Sequence, residues 1–490
     1  MCSINVQSQI KKVTFSVLIF IVAFLNIVNA QNKFGKGYRL ADSTSLFFTR
    51  VLQTSDSGLL LIGQNHDGNN FSYAFIIKTT LTGDTVWTRI LKDITISTRI
   101  FPQCGAELSN GQGYLIAGYS IISVNVVNAF AFVIDTSGNL IWSKEYFYPA
   151  ITADYFLSCT LSLDGNILLS GYIQGAAIGS NYLLMKISAN GNIIWSQGLQ
   201  SVYNNSTVHN NKIIQLSDSS IIVCGSTQLY IVNNIQYVRT FIGKFSQDGT
   251  FLWAKTYGDS LTITEPNAIS YDNNNHLLVS GRHTLITTGQ PPTIGYLMLL
   301  DTAGNILWYN EYDNFVNNNI NGTLNARILT SGEIVALKRN HTNGGLQIFK
   351  TDSSGFPIWN KFIIPSFSST LFVQDFTTTF DGGFVICGGL YDGTGNALLL
   401  KTDSSAFINC FTVDTIINFN QLAIPFQDIN PLVVALPMND SSVTYLELSG
   451  VIQSDICIGT GISDANSNIE TFSIYPNPTD KIINVFLKKK

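Results

Sequence analysis

Short apolar runs and polar turns alternate along almost the whole chain, and the runs come in four kinds that recur in a fixed order. The first is weak and mixed, as in YFLSCTLS (155–162) and VQDFTTTF (373–380). A turn and a dense run ending at glycine follow: SGLLLIG (57–63), QGYLIAG (112–118), DGNILLSG (164–171), SSIIVCG (219–225), NHLLVSG (275–281) and GGFVICG (382–388). In SGEIVAL (331–337), Leu337 stands where the others have glycine. The third kind often closes in lysine, as in AFIIK (74–78), NYLLMK (181–186), TFIGK (240–244), LQIFK (346–350) and ALLLK (397–401). The fourth begins at a tryptophan, as in WSKEY (142–146) and WAKTY (253–257). Runs this short, rich in Ile, Val, Leu and Phe and cut by Asp/Asn/Ser-Gly turns, predict strands joined by hairpins. No part of the array carries a helical period.

The fourth run sets the spacing. All six tryptophans lie four residues after a glycine: Gly83 and Trp87, Gly138 and Trp142, Gly191 and Trp195, Gly249 and Trp253, Gly304 and Trp308, Gly355 and Trp359. A seventh copy has Ala406 and Cys410 in those places. From Gly83 to Ala406 is 323 residues in six steps, a period of about 54. Four antiparallel strands per period and seven periods predict an all-β, seven-bladed β-propeller over 31–410. The last copy lacks a good fourth strand, while Phe34 to Tyr38 resembles one, so the N-terminal strand is expected to close the last blade. The tryptophans and their glycines are read as structural: the indole wedges between sheets and the glycine supplies the turn.

The turns before the tryptophans are short and uniform. The connections after the repeat glycine are long and dissimilar: 66–72, 120–128, 173–180, 227–239 and 282–295. Those after the tryptophan run vary too, as at 201–210 and 314–323. By the up-down path of four strands both sets emerge on one face, which is therefore the expected binding face. Tyr230, Tyr237 and Tyr296 are its candidate contacts.

Composition narrows the class. Only 12% of residues are charged and the net charge is −5, with no basic cluster outside Lys488 to Lys490. A nucleic-acid partner, which needs a basic footprint, is not expected. Residues 1–30 have the form of a signal peptide: Lys11 and Lys12, an apolar stretch from Val13 to Val28, and a small-residue junction at Ala30. The mature chain is expected to be secreted or on the cell surface and to have no transmembrane segment. Cys104, Cys159, Cys224 and Cys387 follow the repeat and are read as small buried hydrophobes. Cys410 and Cys457 are the candidates for a disulfide. Residues 411–465 form no eighth copy and are expected to make a β-rich cap or linker.

The chain's last segment, 466–490, carries FSIYPNP (472–478) and then the strand-like Ile482 to Val485. It resembles the start of the C-terminal sorting domain of type IX secretion substrates in Bacteroidota. That domain runs on for several tens of residues, so the copy here is expected to be incomplete. The resemblance implies the type IX machinery as a partner and export to the outer surface. The Gly-x-x-x-Trp phrase resembles the tryptophan-docking repeat of quinoprotein-like propellers, where it is an element of the fold. The Asp-box of sialidases has a three-residue step from Gly to Trp and does not match.

Candidate chemistry is thin. His66, His209, His276, His283 and His341 are scattered over the repeats, with no chelating pair. Gly-x-Ser-x-Gly and P-loop motifs are missing, and no cofactor is expected. Carboxylates on the elaborated face (Asp67, Asp154, Asp259, Glu265, Asp313, Asp392) keep open a carbohydrate-active or quinone-type enzyme, since glycosidases need two acids. The favoured expectation is a non-enzymatic scaffold that recognises an extracellular glycan, protein or surface through one loop-rich face.

Overall fold

The computed structural model describes residues 33–458 apart from the loop segments 41–44, 67–71, 94–98, 150–152, 176–178, 201–208, 286–292, 314–323, 340–344, 364–369, 392–395 and 409–411 and isolated or paired loop positions. It also describes the short strands Phe472–Tyr475 and Ile483–Val485. Every regular element among these residues is a β-strand, and the strand pairs are antiparallel save one contact between Ala153 and Val127.

The strands group into successive four-stranded units, 45–93, 99–147, 153–200, 209–257, 262–313 and 324–363, each an up-down meander. A further unit has three consecutive strands, Thr370–Thr378, Phe384–Tyr391 and Ala397–Thr402. Its fourth place is taken by Phe34–Arg39, with Phe34 opposite Lys401 and Tyr38 opposite Ala397.

The dense runs are buried on both faces because units stack sheet on sheet. Leu59 to Ile62 and Phe75 to Ile77 have no exposed surface. Their alternate side chains go to different neighbours. Leu60 and Ile62 share a cluster with Tyr114, Ile116 and Phe132 of the next unit, while Leu59 and Leu61 join Val385, Cys387 and Leu399 of the last. Continuous apolar runs are what a strand buried on both faces requires.

The repeat glycine answers to a local geometry. In the first unit the register slips between Phe48 and Arg50, and a Cβ on Gly63 would lie 2.3 Å from the Phe47 carbonyl oxygen. Gly118, Gly171, Gly281 and Gly388 face the same kind of bulge, with would-be contacts of 2.1 Å or less. Only a residue without a side chain fits beneath a strand that bulges toward it. The unit with Leu337 proves the rule, because its first two strands pair in unbroken register.

Neighbouring units are latched at the tryptophan turn. Trp87, Trp142 and Trp308 donate their indole N–H to the carbonyls of Thr136, Ala189 and Ser353 in the following unit. Gly191 sits at φ +78°, and a Cβ there would meet the Trp142 ring at 2.8 Å. Four residues beyond the tryptophan, Tyr146, Tyr257 and Tyr312 donate to the carbonyls of Gly191, Gly304 and Gly355 at 2.6–2.8 Å. The N-terminal strand repeats this with other residues: Phe34 lies against Gly83 and Tyr38 donates to the Gly83 carbonyl at 2.6 Å. Lysines that close the third strand reach back to the acid of the first turn in their own unit, as in Lys78 to Asp56 and Lys186 to Asp164.

Residues 412–458 travel round the outside of these units. Successive short strands add a fifth, antiparallel edge to each unit in reverse chain order: Thr412–Asp414 on Pro357–Ile363, Asn418–Leu422 on Ile306–Asp313, Phe426–Ile429 on Phe251–Tyr257, and Leu432–Ala435 on Ile193–Gln200. Asn439–Ser442 and Tyr445–Leu448 continue on Leu140–Phe147 and Thr85–Asp93, and Val451–Ile458 ends on Phe34–Arg39. The segment is a belt. Pro425, Pro431 and Pro437 occupy its connectors, six residues apart, where a missing N–H costs no ladder bond. Hydrogen bonds to the residue after the tryptophan fix the crossings, as where Leu436 receives Ser196 Oγ and gives its N–H to the Ser196 carbonyl.

Several connections expected as loops are strand. Thr227 to Val232 and Ile235 to Arg239 form one long hairpin, with Tyr230 opposite Tyr237. Residues 120–123 and 126–128 likewise extend their strands, as do 173–175 and 179–180. The ladder continues through these segments, and Ser120, Val127, Ile173 and Thr227 within them are buried, so stretches that read as long connections are continued strand pairing.

Candidate binding site

The weak first strand of every unit faces a shared central cavity of about 240 Å³. Its lining takes Arg50, Cys104, Ser158, Lys212, Ala268, Ala326 and Asp375 from successive units, together with neighbours such as Cys159 and Arg327. Those seven residues share one register, each paired with the residue just before the repeat glycine or its counterpart. The repeat keeps the backbone constant there and lets the side chain change.

The charges are arranged, not scattered. Arg50 Nε donates to the Gln103 carbonyl at 2.8 Å and Arg327 Nε to the Phe376 carbonyl at 2.9 Å, both in the following unit. Each then turns a terminal nitrogen toward Asp375, at 3.6 Å in both cases. Asp375 also accepts from Asn325 Nδ2 and the Val51 N–H. Lys212 projects into the same space. Burial, followed by the Arg50 charge, holds its ammonium down to about 7, against the pull of Asp375. The Cys104 and Cys159 thiols meet on the cavity wall, and burial followed by that contact raises the Cys159 thiol. Both are unbridged, as are the buried Cys224 and Cys387.

A second feature stands toward the end where second strands turn into third. Phe101, Tyr119, Tyr155 and Tyr172 form a continuous row of half-buried rings across two units. Their centroids are 5.0, 4.8 and 4.3 Å apart in that order. Phe101 pairs across the strands with Tyr119, and Tyr155 with Tyr172. Burial raises the three phenols, so each hydroxyl stays neutral and able to donate.

Trp87, Trp142, Trp195, Trp253 and Trp308 pack against the turn glycines Gly138, Gly191, Gly249, Gly304 and Gly355 of the next unit, and Trp359 lies against Phe384. The Trp195 N–H has no acceptor among the described residues. Tyr296 is a correction: it is fully buried, with its hydroxyl 2.9 Å from Thr240 Oγ1 and its ring stacked on Tyr309, so it packs the core and presents nothing to a ligand. The side chains of Tyr230 and Tyr237, and those of Asp67, Asp313 and Asp392, lie outside the described set, as do Cys410 and the side chain of Cys457. Asp154 is buried and accepts the Tyr148 N–H, while Glu265 is bound by Arg282. His276 pairs with Asp272 and His283 with Glu311. Among the described residues no three His, Cys, Asp or Glu side chains are grouped to hold a metal ion. No helix there is long and apolar enough to cross a membrane. Residues 1–30 and most of 466–490 lie outside the described set.

The cavity cations and the aromatic row were missed from sequence. Their one signal was variability within the repeat: Arg50, Lys212 and Asp375 break an otherwise bland register.

No family model matches this chain, and no curated protein matches it. Among solved structures it is similar to a protein of unknown function from Bacteroides caccae, at 14% identity over 62% of this chain and 93% of that one, with a TM-score of 0.36. A protein of unknown function from Dyadobacter fermentans is similar at 10% identity over 66% and 97%, with a TM-score of 0.40. A GH43 β-1,3-galactosidase is similar at 9% identity over 78% and 94%, with a TM-score of 0.29. No function follows from likeness at that level.

Proposed function

We propose that the chain is a closed seven-bladed β-propeller that acts as a non-enzymatic, exported binding scaffold for a glycan. Closure is supported by the cluster that joins Val385, Cys387 and Leu399 to Leu46, Phe48 and Leu61, and by the N-terminal strand in the last unit. The form of residues 1–30 and the Tyr475 to Pro478 motif support export to the surface through the type IX machinery.

The row of rings from Phe101 to Tyr172 carries the ligand reading. A pyranose has an apolar C–H face and a hydroxyl edge, and half-buried tyrosines offer a flat apolar face beside a hydrogen-bonding tip. The rings are held in place by strand pairing before any ligand arrives, which limits the ordering cost of binding.

The test is calorimetric titration of residues 31–490 with neutral oligosaccharides chosen by a thermal-unfolding screen. A hit is expected to weaken at least tenfold in Tyr172→Ala and in Phe101→Ala. No binding across the panel, or affinity unchanged in both variants, would overturn the reading.

A further inference from the structure

We infer that the central cavity is a binding site for a small oxyanion, a phosphate, sulfate or carboxylate group, held by Arg50, Lys212 and Arg327. This goes beyond the glycan reading and does not depend on it, because it concerns a different part of the molecule.

Three observations converge. First, the cavity lining carries three cationic side chains and one carboxylate, an excess of positive charge gathered from the first strands of different units. Like charges gathered in one cavity repel one another, and an anion that joins them relieves that repulsion. Second, the guanidinium groups are pre-oriented. Each spends its Nε on a backbone carbonyl of the following unit, which leaves the terminal nitrogens for the cavity. Arg forks of this kind match the paired oxygens of carboxylates and phosphates. Third, Asp375 holds the two guanidiniums only loosely, at 3.6 Å, and the Lys212 ammonium comes from the unit across the ring. At about 240 Å³ the cavity suits a small ligand rather than a drug-sized one, for which pockets begin near ~300 Å³.

The depressed Lys212 ammonium agrees with such a site. The charged or titratable groups around it are Arg50, Arg327, Asp375, Cys104, Cys159 and Cys224, and the arginines keep their charge throughout. An anion binds the protonated lysine, so affinity is expected to rise as pH falls through about 7.

The experiment titrates residues 31–490 calorimetrically with inorganic phosphate, sulfate and glucuronate, at ionic strength fixed with chloride. Saturable binding of phosphate or sulfate at one site is expected, with at least a tenfold loss of affinity in Lys212→Met. The unliganded Lys212→Met protein is expected to melt no earlier than the wild type, because an uncompensated charge has been removed. Arg327→Gln repeats the test should Lys212→Met fail to fold. Glucuronate binding without phosphate binding assigns the site to a carboxylate and keeps the inference. Sulfate, which does not titrate near neutrality, supplies the pH series. No saturable binding of any of the three anions, or equal binding by both variants, would overturn it.

Discussion

The four-stranded units and the belt around them are both antiparallel β-structure, yet opposite means hold them. The units are side-chain structures. Their middle strands are buried on both faces, and each unit is latched to the next by a tryptophan, a tyrosine or both. The belt is a backbone structure: residues 426–429 and 439–442 are mostly exposed, and the ladder bonds to the outer strands do most of the fixing. A few side chains anchor it, with Ile417, Leu436, Met438 and Tyr445 reaching into the clefts between units. The comparison shows how one chain first builds seven sheet edges and then covers them, the usual remedy for edges that would otherwise recruit other strands.

Removing the belt is the largest test of that division. A chain ending at 410 leaves the outer strands of all units unpaired and opens the clefts filled by Leu436 and Tyr445. It is expected to aggregate, or to melt about 10 °C or more below the full chain. Size-exclusion chromatography and calorimetry check this. A truncated monomer with an unchanged midpoint would mean the inner units are self-sufficient.

The glycines sharpen the comparison from inside. Gly171→Ala places a Cβ 1.7 Å from the Tyr155 carbonyl oxygen and is expected to cost about 3 kcal/mol in denaturant unfolding. Gly165→Ala, at φ +81° with open space around it, is expected to cost only about 1 kcal/mol of backbone strain. Equal losses would show that the bulge gives way and that the repeat glycine is not needed for its space.

The smallest effect lies in the turn acids. Burial alone would raise Asp164, but Lys186, Ser162 and Asn166 more than offset it and hold the carboxyl below its ordinary range. Asp56 and Asp381 are likewise raised by burial but lowered overall, first by the Thr54 and Thr379 hydroxyls and then by Lys78 and Lys401. A carboxyl depressed in the folded state contributes stability that is present above the unfolded value near 4 and lost as pH falls through the folded one. Acid should therefore erode stability below about pH 4, and Lys186→Met should flatten that limb slightly, since Asp164 is largely open to screening water. An acid limb identical in the variant would assign the loss to other groups.

The same contrast explains what could be read without a structure. The repeat was legible because side-chain burial imposes a residue type at each position: glycine beneath a bulge, tryptophan at a latch, an apolar run between two sheets. Tyr296 was misjudged because its segment looked like a loop, whereas the strand continues and carries the ring into the core. The belt left a faint trace, three prolines six residues apart, because backbone pairing accepts almost any side chain. Arg50, Lys212 and Asp375 were hidden differently. They lie in the weakest strand of their units, and only the packing of successive units brings residues so distant in sequence to one cavity.

The belt's direction has a mechanical consequence. Because it retraces the units in reverse, tension on the C-terminal end loads its strands in series, Val451–Ile458 first and Thr412–Asp414 last. Each strand peels before the next bears force, and each crossing releases about 20 Å of slack. A chain tethered by that end would lengthen in small steps under load, like a rip-stitched strap, while the inner strands kept their grip.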